Sequence, residues 1–189
     1  DASRRLAQVS WQPCAATQVA QGEQGRELWS QTLNRGALSV AGQLLGLAQR
    51  MLDLSVDYAA QRKQFGKPIG SFQAVQMSLA DAHMDIEALR STLWQLVYRL
   101  DADLPAGPEA LATRYLACET GHRVGHRAQH VHGGIGVDLT YPIHRYLYWS
   151  RALGLALGGS AATLERLGDW LADNDTLGWK YDLAEHPTL

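Results

Sequence analysis

Two segments of this 189-residue chain combine cations, aromatic rings and glycines in patterns suited to binding a phosphorylated ligand. The first, residues 58–76, reads YAAQRKQFGKPIGSFQAVQ, and the second, residues 129–145, reads QHVHGGIGVDLTYPIHR. A generic helical bundle requires neither combination. These segments are therefore the candidate binding elements.

Arg62 and Phe65 carry the chemistry of the first segment. Arg62 lies at the end of a predicted helix, where its guanidinium can make bidentate, charge-assisted contacts with a diphosphate. Phe65 offers a flat apolar face to an adenine ring. Two alternatives are open: Arg62 could be a solvated cation at a helix C-terminus, and Phe65 or Phe72 could pack in the core.

Gly133 and Gly134 distinguish the second segment. Because glycine has no Cβ, the backbone there can approach a ligand closely. A helix C-cap followed by a turn is the alternative. We expect the nearby His132 and His144 to be hydrogen-bonded structural side chains rather than acids or bases.

His122, His126 and His130 follow an i, i+4 spacing, which places three imidazoles on one face of a helix. Histidine is a common ligand of transition metals, but no carboxylate or cysteine completes this set. The sequence therefore predicts no metal site.

Helices joined by short connections must position both segments. Residues 26–61 contain no proline and repeat apolar or small residues in steps of three and four: Leu38, Ala41, Leu45, Ala48, Leu52 and Ser55. The other faces of this helix are also largely apolar, so it should lie near the centre of the bundle; they carry Val40, Leu44, Leu47 and Met51. Residues 75–100 carry a heptad seam: Val75, Leu79, Ala82, Ile86, Leu89, Leu93, Leu96 and Leu100. Further helices are expected at 109–131, 142–157 and 160–172. The predicted fold class is all-α, an up-down helical bundle over residues 26–172.

Residues 1–25 show a strand-like alternation near residues 6–11, followed by Pro13, Gly22 and Gly25. Because an isolated strand has unpaired backbone groups, we expect this segment to be the end of a truncated β-domain and a linker. Residues 173–189 are predicted to form a polar tail whose large anchors are Trp179 and Tyr181.

Composition limits the possible environments and partners. The hydrophobic fraction is 46%, and no uninterrupted apolar run approaches the roughly 18 residues that span a membrane. The net charge is −2 with scattered Lys and Arg, which argues against a nucleic-acid partner. Cys14 and Cys118 lack the spacing of a disulfide framework or a zinc site, which favours two free thiols in a cytoplasmic protein.

Both segments resemble, in the same order and spacing, the signature segments of acyl-CoA dehydrogenases, and the flanking helices agree from about residue 5 to residue 172. The resemblance implies FAD as the cofactor and an acyl-CoA thioester as the substrate of an α,β-desaturation. It also implies an oligomer, because in this family the two segments of one subunit complete the FAD site of its neighbour.

The same resemblance implies a set of cofactor-binding residues: Arg62, Gln64, Phe65, Phe72, Gln73, His130, Gly133 and Gly134. His130 departs from the family, which usually has a glutamine three residues before the glycine pair. An imidazole can still donate to a phosphate oxygen, but the neighbouring Gln129 is an alternative donor. The sequence leaves this choice open.

The catalytic base of the family is missing. In the family a glutamate removes the α-proton from one of two positions, which correspond here to Gly158 and Gly36. The family's Thr-x-Gln flavin contact is replaced by Ser-Ala-Ala at residues 160–162. We therefore predict no catalytic residue in this chain and dehydrogenase activity only within a complex.

The chain also resembles the glutamate-lacking subunits of heteromeric, α2β2 actinobacterial acyl-CoA dehydrogenases that act on steroid side chains. This resemblance implies a homologous, glutamate-bearing partner in a heterotetramer and a role in steroid or cholesterol side-chain β-oxidation. The acyl-CoA site would lie mainly on N-terminal domains or on the partner. Two alternatives stay open: a non-enzymatic scaffold of the same fold that only assembles with a catalytic partner, and an active homomer with a relocated base.

Overall fold

A computed structural model describes residues 7–12 and 14–174. Most of this part of the chain belongs to α-helices: α1 (Gly22–Gln61), α2 (Gln73–Asp101), α3 (Gly107–His132), α4 (Ile143–Gly154) and α5 (Gly159–Asp173). An antiparallel hairpin joins α1 to α2, with strands β1 (Lys63–Gln64) and β2 (Lys67–Pro68). Short 3₁₀ helices occupy several connections: Ala15–Thr17, Ile69–Ser71, Gly133–Val137 and Ala156–Gly158. The all-α prediction is confirmed.

The ends of the helices differ from the sequence prediction by a few residues. α1 begins at Gly22 instead of residue 26, and α3 begins at Gly107 instead of residue 109. Pro108 fits within the first turn of α3, because the N–H that proline lacks would have no intrahelical acceptor there. α4 ends at Gly154 instead of residue 157, since the chain tightens into a 3₁₀ turn and becomes left-handed at Gly158 (φ 108°).

The first helix, α1, lies against α2, α3 and α4. Four residues of its predicted core stripe are buried: Ala41, Ala48, Leu52 and Ser55. Leu38 and Leu45 are only half-buried, while Leu44 and Met51 on the adjacent face are fully buried. A helix that packs against neighbours on several sides needs more than one apolar stripe. The core face of α1 therefore extends beyond the stripe, as the apolar character of its other faces predicted.

The heptad seam of α2 faces the core, as predicted. Its most buried members are Ala82, Ile86, Leu89 and Leu96. The other four are half-buried: Val75, Leu79, Leu93 and Leu100. Met77 and Met84, which lie off the seam, are 58% and 61% exposed. The register of α2 is therefore set by its seam.

The third helix, α3, is central and packs against each of the other four. Toward its C-terminus Val124 lies in one core cluster with Met51 and Ile86. Toward its N-terminus Ala110 packs with Leu96. The core thus runs along most of the length of α1, α2 and α3, which fixes the positions of the segments at their ends.

The ends of the chain bear on two of the predictions. Residues 7–12 lie in neither a helix nor a strand. A strand is defined by its paired neighbour, so the β-domain remnant stays a prediction. Trp179 and Tyr181, the expected anchors of the tail, lie outside the described residues.

Among the residues that the structure describes, no helix has both the length and the apolar character to cross a membrane.

Candidate functional site

The two candidate segments meet at one end of the bundle. Tyr58, in the last turn of α1, stacks on His132, the last residue of α3, with ring centroids 4.4 Å apart and ring planes inclined by 25°. His132 also lies against Tyr141, with 5.4 Å between the centroids. The hairpin after α1 and the glycine turn after α3 therefore belong to one surface.

Arg62 follows the last turn of α1 and has an exposed side chain. Its backbone N–H donates to the carbonyl of Tyr58 (2.8 Å), and its own carbonyl accepts from the N–H of Ile69 (2.8 Å). The guanidinium makes no hydrogen bond or ion pair with any residue that the structure describes. It does not cap the helix carbonyls and is free to meet an external anion.

Phe65 and Gly66 form the two-residue turn of the hairpin, between the paired residues Gln64 and Lys67. Both turn residues have positive φ, 52° and 80°, as a type I′ turn requires. A bulky side chain rarely adopts this conformation, which costs about 1–3 kcal/mol. Phe65 is nevertheless 92% exposed, so core packing does not explain it. A ring that is held in solvent by a strained backbone indicates a binding role.

Phe72 lies beside the turn and is half-buried. Its ring meets the ring of Phe65 edge-on, with 6.1 Å between the centroids. Lys67 Nζ lies 4.4 Å from the centroid of the Phe72 ring. The two phenylalanines and the lysine thus form one aromatic and cationic patch around the turn.

Gln64 and Gln73 flank this patch and are exposed. Gln73 is the first residue of α2, and Phe72, at the N-cap position, provides no side-chain cap. The N–H of Val75 donates to the carbonyl of Phe72 (3.0 Å), whereas the N–H groups of Gln73 and Ala74 have no acceptor among the described residues and remain open to an acidic ligand.

The hairpin is held against α1 by close contact. A Cβ on Gly70 would lie 3.1 Å from the carbonyl oxygen of Ala59, which leaves little room for any residue but glycine. Gln76 Nε2 donates to the carbonyl of Gly70 (2.9 Å), and Ser71 Oγ donates to the carbonyl of Pro68 (2.7 Å). These contacts position the turn relative to both α1 and α2.

Gly133 caps α3 and starts the second segment. Its φ is 63°, and its N–H bonds to the carbonyls of Gln129 and His130. The helix-cap alternative is therefore part of its role. Gly133 and Gly134 are also exposed, and a Cβ on either would meet nothing within 4 Å. The backbone of the turn is accessible to a ligand from outside.

His130 and Gln129 differ in exposure, which decides whether a side chain can contact a ligand from outside. His130 is exposed, whereas Gln129 is half-buried. The Nε2 of Gln129 is buried and has no hydrogen-bond partner among the described residues. This placement favours His130 over Gln129 as the side chain that meets a ligand.

Three other histidines contact neighbouring residues of the domain. His144 Nδ1 lies 2.6 Å from the carbonyl of Tyr141, in agreement with its predicted structural role. His122 and His126 contact each other with 4.5 Å between ring centroids. Burial lowers the pKa of His126, and the nearby His122 and Arg151 lower it further. In the described ranges, no three His, Cys, Asp or Glu side chains are placed to hold a metal ion.

Residues 23–172 match the family described as "Acyl-CoA dehydrogenase, C-terminal domain", and this range coincides with α1 to α5. The chain belongs to that family. Acyl-CoA dehydrogenase FadE27 of Mycobacterium tuberculosis is 41% identical over 154 residues, which are 77% of this chain and 41% of that protein.

Two solved structures of acyl-CoA dehydrogenases are also similar. A variant of the Tcur3481-Tcur3483 steroid ACAD is 45% identical, with a TM-score of 0.75, over 76% of this chain and 40% of that chain. The ChsE4-ChsE5 complex from Mycobacterium tuberculosis is 41% identical, with a TM-score of 0.74, over 78% of this chain and 40% of that chain. The chain therefore spans about two fifths of the length of these relatives.

Gly158, which is predicted to stand at one position of the family's base, is the N-cap of α5. Its φ of 108° is rarely adopted by a residue with a side chain. A Cβ there would meet Ala162 Cβ at 3.6 Å and Arg114 Nη2 at 3.7 Å, and neither residue is an acid. Arg114 is buried and donates to the carbonyl of Ala156 (2.8 Å). Gly36, the other position, lies half-buried within α1.

The Gly158 turn is far from the hairpin end of this acyl-CoA dehydrogenase domain. Arg114, beside Gly158, precedes His132 by 18 residues of α3. At 1.5 Å of rise per residue this separation is about 27 Å. The hairpin and the Gly158 turn are therefore separate regions of the domain.

Two residues of the site were not singled out from the sequence. Tyr58 and Tyr141 both contact His132, and both lie within the quoted segments. The presence of aromatic residues in both segments was the sequence signal that could have identified these two tyrosines. Their meeting on one histidine depends on the relative placement of α1, α3 and α4, which periodicity does not give.

Proposed function

We propose that this chain is the C-terminal domain of a subunit of an FAD-dependent acyl-CoA dehydrogenase, that it completes a flavin site at a subunit interface, and that it lacks a base of its own. The reaction is the α,β-desaturation of an acyl-CoA thioester. The strongest support for flavin contact is the exposed Phe65 with its strained backbone, together with the guanidinium of Arg62, which has no partner among the described residues. Both residues belong to the surface shared with Gly133 and Gly134.

A dinucleotide fits the chemistry of this surface. Arg62 supplies a bidentate cation for a diphosphate, and Phe65 supplies a flat face for adenine. The exposed backbone at Gly133 and Gly134 and the open N–H groups at the start of α2 add neutral donors. Further contacts are proposed for Gln64, Phe72, Gln73 and His130. A flavin held by these residues would supply a hydride acceptor for the β-hydrogen of the thioester.

A homologous, glutamate-bearing subunit is the proposed partner, in a heterotetramer. The hairpin end lies about 27 Å along α3 from the Gly158 turn, so it suits the flavin of a neighbouring subunit better than one beside Gly158. Similarity to the Tcur3481-Tcur3483 steroid ACAD and to the ChsE4-ChsE5 complex supports such a partner. The first of these relatives also supports a steroid side-chain thioester as the substrate.

We place this enzyme in the cytoplasm. Cys14 and Cys118 are free thiols, one exposed and one buried. Free thiols persist in a reducing compartment. Fractionation of cells that express the full-length protein would test this location.

A non-enzymatic scaffold that only assembles with a catalytic partner is the second candidate function. A scaffold gains nothing from a bulky residue held at positive φ in solvent, whereas a ligand site does. The purified complex distinguishes the two: a yellow complex with the absorbance of bound flavin supports the enzyme, and a colourless one supports the scaffold.

Arg62→Ala should weaken FAD binding to the complex by about 1.5–3 kcal/mol, because the diphosphate loses a charge-assisted partner. Arg62→Lys should recover only part of this loss, since an ammonium lacks the planar fork of the guanidinium. Titration of the flavin-free complex with FAD, followed by flavin fluorescence, measures both. Arg50→Ala removes another exposed arginine of α1 and serves as the control. Equal affinities in Arg62→Ala and the unmodified complex would contradict the assignment.

Phe65→Asn should separate stability from binding. Asparagine tolerates positive φ, and Asn-Gly is the preferred pair in a type I′ turn, so the free energy of unfolding should rise by about 1 kcal/mol. FAD affinity should fall by about 0.5–1.5 kcal/mol, because the flat ring is lost. Urea unfolding and FAD titration give the two quantities. A drop in stability would show that the ring of Phe65 contributes packing within this chain.

A further inference from the structure

His132 connects the two segments that form the candidate flavin site. It is the last residue of α3, directly before Gly133, and it is only 3% exposed. Its ring contacts Tyr58 on α1 (4.4 Å) and Tyr141 beyond the glycine turn (5.4 Å). One side chain thus touches elements from three parts of the chain.

A single hydrogen bond sets the orientation and the tautomer of this ring. Nδ1 lies 2.8 Å from the carbonyl of Ala128, and a carbonyl only accepts, so Nδ1 carries the proton. Nε2 is buried and has no partner in the described part of the chain. Burial lowers the pKa of His132, although the bond to Ala128 opposes this, so the neutral ring is favoured. A neutral ring can stack on Tyr58 and contact Tyr141 without burying a charge.

The stacked ring reaches the ligand-facing residues through its neighbours. The N–H of Arg62 donates to the carbonyl of Tyr58, so a shift of Tyr58 moves the backbone from which the guanidinium extends. On the other side, His132 is joined covalently to Gly133, which starts the glycine turn. The ring of His132 is therefore linked to both the arginine half and the glycine half of the surface.

We propose that His132 is a positioning residue for the flavin: it holds the Arg62 hairpin and the Gly133 turn in register without touching the cofactor. This inference rests on the proposed function. A purely structural role is the competing explanation, in which the stack stabilises the bundle and has no bearing on the ligand.

Two substitutions separate the stack from the hydrogen bond. His132→Phe keeps a ring between the tyrosines and loses the Nδ1 donor, whereas His132→Asn keeps a donor near Ala128 and loses the ring. In the complex of the full-length protein with its partner subunit, the dissociation constant of FAD should rise about 3- to 10-fold for His132→Asn, from lost ring contacts. For His132→Phe it should stay within about 2-fold of the unmodified complex.

Leu96→Ala is the matched control, because it opens a cavity in the core beside Ala110, at the other end of the bundle. Its thermal midpoint should fall while its FAD dissociation constant stays unchanged. Tyr58→Leu removes the same stack from the other side and should reproduce the His132→Asn effect, also where His132→Asn does not fold.

Four outcomes decide the matter. Unchanged FAD constants in His132→Asn and Tyr58→Leu overturn the positioning role, as does an equal rise in Leu96→Ala. Equal rises in His132→Phe and His132→Asn overturn the role given to the stack. An unmodified complex that binds no FAD overturns the proposed function instead.

Discussion

The full-length protein, purified without a partner, should desaturate acyl-CoA about 10²- to 10⁴-fold more slowly than the complete complex, because removal of the weakly acidic α-proton needs a positioned base. The two positions at which the family's base is expected hold Gly158 and Gly36, and glycine has no side-chain group that accepts a proton. Turnover is measured with an artificial electron acceptor at saturating substrate. Flavin content is measured in the same sample, so that cofactor loss is not mistaken for loss of the base.

Addition of a glutamate-bearing partner should restore turnover. Replacing the partner's glutamate by glutamine should abolish turnover again while the flavin stays bound. Partner-free protein that reaches the rate of the complex would contradict the prediction and would point to a relocated carboxylate within this chain.

Gly158→Glu should not create a working base in the partner-free protein. The backbone at Gly158 has a φ of 108°, which a glutamate would adopt only with strain. The new side chain would also start 3.7 Å from Arg114 Nη2, and a neighbouring cation stabilises the ionised carboxylate and makes it a weaker proton acceptor. Gly158→Gln is the matched control, because it carries the same strain without the charge.

Leu89→Ala should lower the free energy of unfolding by about 2–5 kcal/mol, because the substitution removes buried methyl groups and leaves a cavity. Leu89 is 0% exposed and packs in one cluster with Ala41, Leu44 and Ala117. Met84→Ala, on the same helix but 61% exposed, should change stability by no more than about 0.5 kcal/mol. Urea unfolding of both variants tests the register of α2, and equal losses would contradict it.

The buried face of α2 could be predicted because its heptad pattern is uninterrupted and the helix buries one face. For α1 the sequence predicted apolar residues on several faces but not the degree of burial of each. Leu44 and Met51, outside the stripe, are fully buried, whereas Leu38 and Leu45 of the stripe are half-buried. A single stripe is a good guide for a helix with one buried side, and α1 has neighbours on several sides.

The candidate site was predicted as a set of residues but not as a geometry. The order and spacing of the two segments pointed to Arg62 and Gly133, whereas the left-handed backbone at Phe65 had no signal, since phenylalanine is rare there. The choice between Gln129 and His130 depends on the rotation of the last turn of α3. That rotation is determined by tertiary packing, which cannot be predicted from the residue pattern of a single sequence.

The contacts at the base of the hairpin order the Phe65 turn before any ligand arrives: Gly70 lies tightly against Ala59, and Gln76 bonds to the Gly70 carbonyl. Ordering a flexible loop costs about 1–2 kcal/mol for each backbone residue that becomes fixed. Because this loss of conformational entropy accompanies folding, a dinucleotide or subunit that meets the turn loses correspondingly less on association. Preorganisation of the hairpin therefore transfers an entropic cost from association with a ligand or subunit to the folding of this domain.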